Sequence, residues 1–148
     1  MSQLQKNKDD FVLLLESGFI ASNQADEDAA LKLFRASQVL KPDNMLPKIG
    51  FGYIHLLKLE LKQACQMFED VLQQEPHNEM ARSLLGLSTA LTTKEIDKGE
   101  AMLQESLKKT DDSTVKGMAS TALEFIQNFV KKNPTPVQAH PQQHKKGK

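Results

Sequence analysis

Three glycines at equal intervals, Gly18, Gly52 and Gly86, constrain this chain more than any other feature of its sequence. A glycine inside a helix costs roughly 1 kcal/mol relative to alanine, so three of them at one interval need a compensating gain. Close approach between two helices supplies such a gain. An interval of about 34 residues is typical of stacked helical hairpins.

Other residues repeat at the same interval as the glycines. The pairs are Ala30/Ala64, Phe34/Phe68, Pro42/Pro76 and Asn44/Asn78. Residues 11–44 and 45–78 share six identities, whereas unrelated sequences would share roughly two. Pro42 and Pro76 should each end a helix, because proline cannot donate a backbone hydrogen bond and disfavours helical geometry in the residue before it. Asn44 and Asn78 are predicted to cap the helices that follow.

The apolar periodicity predicts an all-α domain of helix hairpins. The predicted hairpins are 9–22 with 27–40, 45–58 with 61–74, and 79–92 with 95–109, and a seventh helix begins near residue 112 or 113. Residues 9–131 form the predicted domain, and residues 1–8 are expected to be frayed. Residues 132–148, rich in Pro, Gln and Lys, are expected to be a disordered tail, because they offer little to bury.

These residue types resemble the tetratricopeptide repeat, in which a small residue, an alanine, an aromatic residue and a proline follow one another within each repeat. The resemblance spans roughly residues 11–110. In the third unit, Gly99 and Leu103 take the alanine and aromatic places after a one-residue insertion, and Asp111 replaces the proline. The resemblance implies a right-handed array of three tetratricopeptide-like hairpins with a C-terminal capping helix.

Charge is balanced over the whole chain but unevenly distributed along it. Residues 1–130 contain 14 basic and 19 acidic side chains, whereas residues 131–148 contain five lysines and no acid. An acidic body disfavours nucleic acid as a partner. Apolar runs are far shorter than the roughly 20 residues that span a bilayer, and the amino terminus lacks a secretory pattern. We therefore expect a cytoplasmic protein with no membrane insertion.

The sequence contains none of the familiar catalytic, phosphate-binding or zinc-binding patterns, so we expect neither an enzyme nor a cofactor. His140 and His144 are four residues apart, but Pro141 lies between them and no third ligand is near, so no metal site is predicted. Cys65 is the only cysteine, which is consistent with a reducing compartment. We expect its thiol to be buried rather than reactive, because no neighbouring group in the sequence would activate it.

A partner-binding groove is predicted on the first helices of the hairpins, because in a stacked array one stripe of each first helix faces the concave side. The predicted groove residues are Val12, Leu15, Phe19, Leu46, Ile49, Tyr53, Leu56, Met80 and Leu87. The same stripe also includes Ser22, Ser83 and Ala90. Phe19 and Tyr53 are expected to be the main anchors, because aromatic side chains dominate such interfaces.

The apolar stripe distinguishes between two uses of such a groove. Adaptors that bind an acidic carboxyl terminus need cationic or amide donors, and the corresponding places here hold Leu15, Phe19, Leu46, Gly50, Met80 and Leu84. A carboxylate clamp is therefore disfavoured, and the stripe favours an amphipathic helix or an apolar extended segment as the guest. In the alternative interpretation, the same side chains are core, and the groove is closed by the amino-terminal segment, the seventh helix or a second copy of the chain.

Four local motifs are similar to those of small tetratricopeptide chaperones of bacterial type III secretion, and most similar to the needle-subunit chaperones. They are Gly18 with Phe19, Ala-x3-Phe at 30–34 with Pro-Asp-Asn at 42–44, Ile-Gly-Phe-Gly-Tyr at 49–53, and Leu-Leu-Gly-Leu at 84–87. The resemblance implies a non-enzymatic cytosolic chaperone that masks the apolar helix of a secreted, self-polymerising needle subunit. Alternatives are a translocator chaperone of the same system and a general scaffold that joins folded proteins. A co-chaperone, and self-association without a client, stay open.

Overall fold

The computed structural model describes residues 2–132, and within this range the chain forms helices and no strand. The expectation of an all-α protein is therefore confirmed for the described residues. The helices are α1 (Gln3–Asn23), α2 (Glu27–Leu40), α3 (Leu46–Leu57), α4 (Leu61–Gln74), α5 (Glu79–Ala90), α6 (Ile96–Lys109) and α7 (Ser113–Phe125), and a π-helical turn (Ile126–Val130) continues α7.

Helices that are consecutive in the chain pack against each other. The most extensive contacts join α1 to α2, α3 to α4, and α5 to α6. The pairs are linked in turn by contacts of α2 with α3 and of α4 with α5, and α7 packs against both α5 and α6. Buried side chains form three neighbouring clusters along this succession, around Phe34, Phe68 and Leu103.

In the first two helix pairs, a glycine of one helix packs against a phenylalanine of the other. A Cβ atom at Gly18 would lie 2.6 Å from Cε1 of Phe34, and one at Gly52 would lie 2.6 Å from Cε1 of Phe68. Both rings are fully buried. The predicted close approach is confirmed, because any side chain at these two glycines would overlap the facing ring.

The third helix pair also packs a glycine against a large side chain, but the residues on α6 lie one position later than the repeat interval predicts. A Cβ atom at Gly86 would lie 3.1 Å from Cγ of Leu103 and 3.0 Å from the carbonyl oxygen of Gly99. Gly99 is still more crowded, since a Cβ atom there would meet the backbone nitrogen of Ala90 and the carbonyl oxygen of Gly86. The inserted residue predicted for this unit lies in the connection, which spans residues 91–95 and is longer than the connections 24–26 and 58–60 of the first two pairs.

The first two connections have the same backbone geometry, one repeat interval apart. Ala25 (φ 60°) and Leu59 (φ 57°) adopt the left-handed conformation. The amide of Asp26 donates to the carbonyl of Ala21, and the amide of Glu60 donates to that of His55, each at 2.9 Å. These are the hydrogen bonds of a Schellman motif, which ends a helix and turns the chain sharply. The repeat is therefore present in the backbone as well as in the sequence.

Helix ends agree closely with the positions predicted from proline. α2 ends at Leu40 and α4 at Gln74, each two residues before a proline. The side chain of Asn78 accepts from the amide of Ala81, so its predicted N-cap role is confirmed. Asn44 lies one residue outside the cap position of α3 and accepts instead from the amide of Leu46.

The amino-terminal helix is longer than predicted. α1 begins at Gln3 rather than at residue 9, so residues 3–8 are helical rather than frayed. The Ser2 hydroxyl accepts from the amide of Gln5, and the Gln5 side chain donates to Asp9 at 2.8 Å. This extension is exposed, and hydrophobic periodicity reports only buried faces. The predicted disordered tail lies outside the described residues from position 133 onward.

Substituting alanine for glycine tests the close contacts. Gly99→Ala should lower the free energy of unfolding by about 2 kcal/mol or more, because backbone atoms of α5 cannot move aside as a flexible side chain could. Gly117→Ala is the matched control, since a Cβ atom there meets nothing within 4 Å, and it should stabilise the protein by about 0.5–1 kcal/mol through helix propensity. Urea denaturation followed by circular dichroism measures both. Equal effects of the two substitutions would contradict the packing argument.

Candidate functional site

An open cleft of about 850 Å³ lies between α1, α3, α5 and α7. None of its lining residues belongs to α2, α4 or α6. The cleft is lined by Leu15, Glu16, Phe19, Asn23, Leu46, Ile49, Tyr53, Leu56, Leu57, Leu59, Met80, Leu84, Leu87, Leu91, Thr114, Gly117, Met118, Thr121, Ala122 and Phe125. Fifteen of these twenty side chains are apolar or aromatic.

The structure brings together eight of the nine predicted groove residues. Leu15, Phe19, Leu46, Ile49, Tyr53, Leu56, Met80 and Leu87 all line the cleft. Val12 does not, and its side chain is 41% exposed. The three small residues on the same stripe are all buried and do not line the cleft; they are Ser22, Ser83 and Ala90.

Depth divides the lining into a floor and a rim. The floor is formed by Leu15, Ile49, Leu56 and Leu84, which are at most 8% exposed and belong to the core clusters. For these four residues, burial agrees with the alternative interpretation that the stripe residues are part of the core. The rim includes Leu57, Leu59 and Phe125, which are between 43% and 69% exposed. Only the rim and the partly buried residues between it and the floor can contact a guest.

Helix α7 forms a wall of the cleft that the groove prediction omitted. Ala119 and Ile126 are fully buried in the cluster shared with α5 and α6. Other residues of α7, including Gly117, Met118 and Phe125, line the cleft. The sequence predicts α7 as a helix through its apolar period, but the period does not reveal which of its edges stays uncovered. In the structure, α7 narrows the cleft without filling it.

Aromatic contacts fix the wall between α1 and α3. The ring of Phe19 lies 5.0 Å from that of Phe34 in an edge-on arrangement and 5.6 Å from that of Tyr53. The Tyr53 hydroxyl donates a hydrogen bond of 2.7 Å to Oδ1 of Asn23. Burial raises the pKa of Tyr53 above its ordinary value, so the phenol stays neutral. Both predicted anchors are therefore held in place by their neighbours.

Within the described part of the chain, one charged residue lines the cleft, Glu16 on α1. Glu16 is exposed and makes no ion pair with any other residue in the range 2–132. Among residues 2–132, no Lys, Arg or His lines the cleft. A guest carboxylate would find no cationic partner there, so the surface suits an apolar guest.

Other candidate groups lie away from the cleft. Cys65 is half-buried on α4, with its sulfur 4.0 Å from Oγ1 of Thr89. Residues 2–132 hold no group of three or more His, Cys, Asp or Glu side chains placed to bind a metal ion. His140 and His144 lie outside the described residues. None of the helices in the described range is both long enough and apolar enough to cross a membrane.

Comparison of the chain with protein-family models, with curated proteins and with solved structures found no match. The function is therefore inferred from the cleft itself. Its combination of an apolar floor, partly exposed large side chains and a single uncompensated carboxylate is suited to binding an apolar segment of another protein.

The reactivity of Cys65 tests the prediction of an unreactive thiol. Burial is the main cause that raises the pKa of this thiol above its ordinary range, so less thiolate is present at neutral pH. Alkylation by iodoacetamide at neutral pH should therefore be slower in the folded chain than in the same chain in concentrated urea, and the rate should still be rising in mildly alkaline buffer. Mass spectrometry at timed intervals measures it. An equal or faster rate in the folded chain would refute the prediction.

Proposed function

We propose that this protein is a non-enzymatic chaperone whose cleft holds the apolar helix of a secreted, self-polymerising subunit, of the kind that builds a type III secretion needle. The observation that supports it best is the cleft lining, in which fifteen of the twenty described residues are apolar or aromatic and none of the twenty is cationic. The proposal places the protein in the bacterial cytoplasm, where such a subunit waits before export.

We also propose that the three helix pairs form a tetratricopeptide-like array capped by α7. Gly18 and Gly52 are one repeat interval apart, and so are Phe34 and Phe68. Each of these phenylalanines packs against one of the two glycines, and this supports the array. The left-handed residues Ala25 and Leu59 support it too, because they turn the chain in the same way after α1 and after α3. In such arrays the first helices line the concave side.

An amphipathic helix is the guest that fits this cleft best. A helix with its side chains is about 10–12 Å across, and it presents apolar residues at positions i, i+3, i+4 and i+7 to a groove. Each large apolar side chain removed from water contributes roughly 1.5–3 kcal/mol. Three or four such side chains offset the cost of association and allow a complex that forms and still dissociates. No nucleotide is needed for such binding.

Masking is the physical purpose of such a complex. A subunit that assembles through an exposed apolar stripe aggregates when it is free, because the same stripe binds any other copy. The partly exposed aromatic and aliphatic residues of the cleft, such as Phe19, Tyr53 and Leu57, can cover that stripe. Without a client, the same residues would favour self-association of the chaperone.

Two alternatives differ in the guest. A translocator chaperone of the same secretion system would hold an extended apolar segment in the same cleft. The length of that bound segment would be measured as the stretch of the client that is protected from protease. A general scaffold would join folded proteins that are soluble without it. A co-chaperone would show as a third component of the purified complex.

The cleft assignment is tested with rim residues, because a charge at a floor residue such as Leu56 would unfold the core. Leu57→Asp and Phe125→Asp each place a charge on a partly exposed cleft residue. The protein and candidate small secreted proteins are co-expressed, and the complex is isolated by affinity purification. We expect each substitution to reduce recovery of the client roughly tenfold or more, because a carboxylate must lose its water to enter an apolar contact.

Val39→Asp is the matched control, since Val39 is 78% exposed on α2 and does not line the cleft. It should leave client recovery unchanged, and circular dichroism should give the same helical content for all three variants. Equal recovery with the cleft and control variants would contradict the assignment. A client that stays soluble and monomeric on its own would favour the scaffold over the chaperone.

A further inference from the structure

We propose that the helix held in the cleft is cationic along one edge, where a Lys or Arg pairs with Glu16, and that a large apolar side chain on its opposite edge fills the space beside Gly117. This inference rests on the proposed function and specifies the guest chemically. It assigns a specificity role to two residues that the predicted groove did not include.

Charge complementarity supports the cationic edge. Glu16 is the one charged side chain that lines the cleft, it is exposed, and no cation in the described part of the chain neutralises it. A guest acid at this edge would meet a like charge, whereas a guest cation would form an ion pair beside the apolar contact.

Free space supports the apolar anchor on the other edge. Gly117 lines the cleft from α7, and a Cβ atom built there has no neighbour within 4 Å. This sets Gly117 apart from Gly18, Gly52, Gly86 and Gly99, whose missing side chains are replaced by close packing against a neighbouring helix. Thr114 and Thr121, about one turn away from Gly117 on either side, and the adjacent Met118 line the cleft as well. The lining of the cleft as a whole is mostly apolar, which favours an apolar occupant over water.

The two features together orient the guest. Glu16 belongs to α1 and Gly117 belongs to α7, and both helices line the same cleft. A guest helix between them must turn its charged edge towards α1 and its bulkiest apolar edge towards α7. Apolar residues between these edges would face Tyr53 and Leu87.

Two synthetic peptides test the charge preference. Both are fluorescein-labelled amphipathic helices of roughly five turns with the same leucine face, and the residues that border one edge of this face are Lys in one peptide and Glu in the other. Fluorescence anisotropy with the full chain should show binding of the Lys peptide roughly three- to tenfold tighter than of the Glu peptide, as expected for one rim ion pair replaced by a repulsion. In about 1 M NaCl the difference should shrink to less than about twofold, because salt screens exposed charges.

Two charge variants identify the residue responsible. Glu16→Lys should reverse the preference, so that the Glu peptide binds more tightly than the Lys peptide. Glu69→Lys is the matched control, because it makes the same change of charge at an exposed residue of α4, which does not line the cleft. The control should keep the preference for Lys. Equal binding of the two peptides to the wild-type protein, or an unchanged preference in Glu16→Lys, would overturn the cationic edge.

Substitution of Gly117 tests the apolar anchor. Gly117→Leu should weaken binding of the Lys peptide roughly tenfold or more, since it occupies the place of one large buried side chain. Gly117→Ala should change it less than about threefold. Both variants should melt at or above the wild-type temperature, because the site has room and glycine is the poorer helix former. Unchanged or tighter binding to Gly117→Leu would overturn the anchor.

The outcomes separate this inference from the proposed function. If neither peptide binds the wild-type protein, the proposed function fails with it. If both peptides bind and Leu57→Asp abolishes their binding, but charge and Gly117 have no effect, the cleft binds helices and the inference alone is wrong.

Discussion

Contact between a helical glycine and a buried side chain of the paired helix is the interaction on which the rest of this structure depends. Gly18 meets Phe34, Gly52 meets Phe68, and Gly86 meets Leu103, and all three large side chains are fully buried. Each contact sets the distance between two helices, because neither the buried side chain nor the backbone can yield at native packing density. Because α2, α4 and α6 each pack on one side of their partner helix, the other side of α1, α3 and α5 is not covered by that partner.

The cleft follows from that uncovered face. Its floor contributes to the stability of the core, whereas its rim exposes apolar area that the isolated protein leaves in water. The proposed function depends on rigid support of this exposed area. Phe19 is held between Phe34 and Tyr53, and Tyr53 is held by its hydrogen bond to Asn23. Side chains that are already fixed lose little conformational entropy when a guest binds.

Most of the helix pattern could be predicted because it depends on local signals. Pro42 and Pro76 act on the residues next to them, and the Asn78 cap acts within one turn, so α2, α4 and α5 begin or end where expected. Features that leave no apolar pattern in the local sequence were not predicted. The first turns of α1 are exposed and polar, so no apolar period reports them. Val12 falls on the groove stripe by helical geometry, yet nothing in the sequence tells how far the neighbouring helices extend to enclose it.

The sequence by itself determined the helix succession, the pairing through glycine and aromatic residues, and the apolar character of the stripe, because repeat interval and helical period are properties of order along the chain. Only the tertiary structure decided which stripe residues became floor, which stayed accessible, and that α7 lines the cleft as its remaining wall. Those outcomes depend on distances between helices that are far apart in sequence. The placement of Glu16 on α1 and Gly117 on α7 in the lining of one cleft is of this second kind.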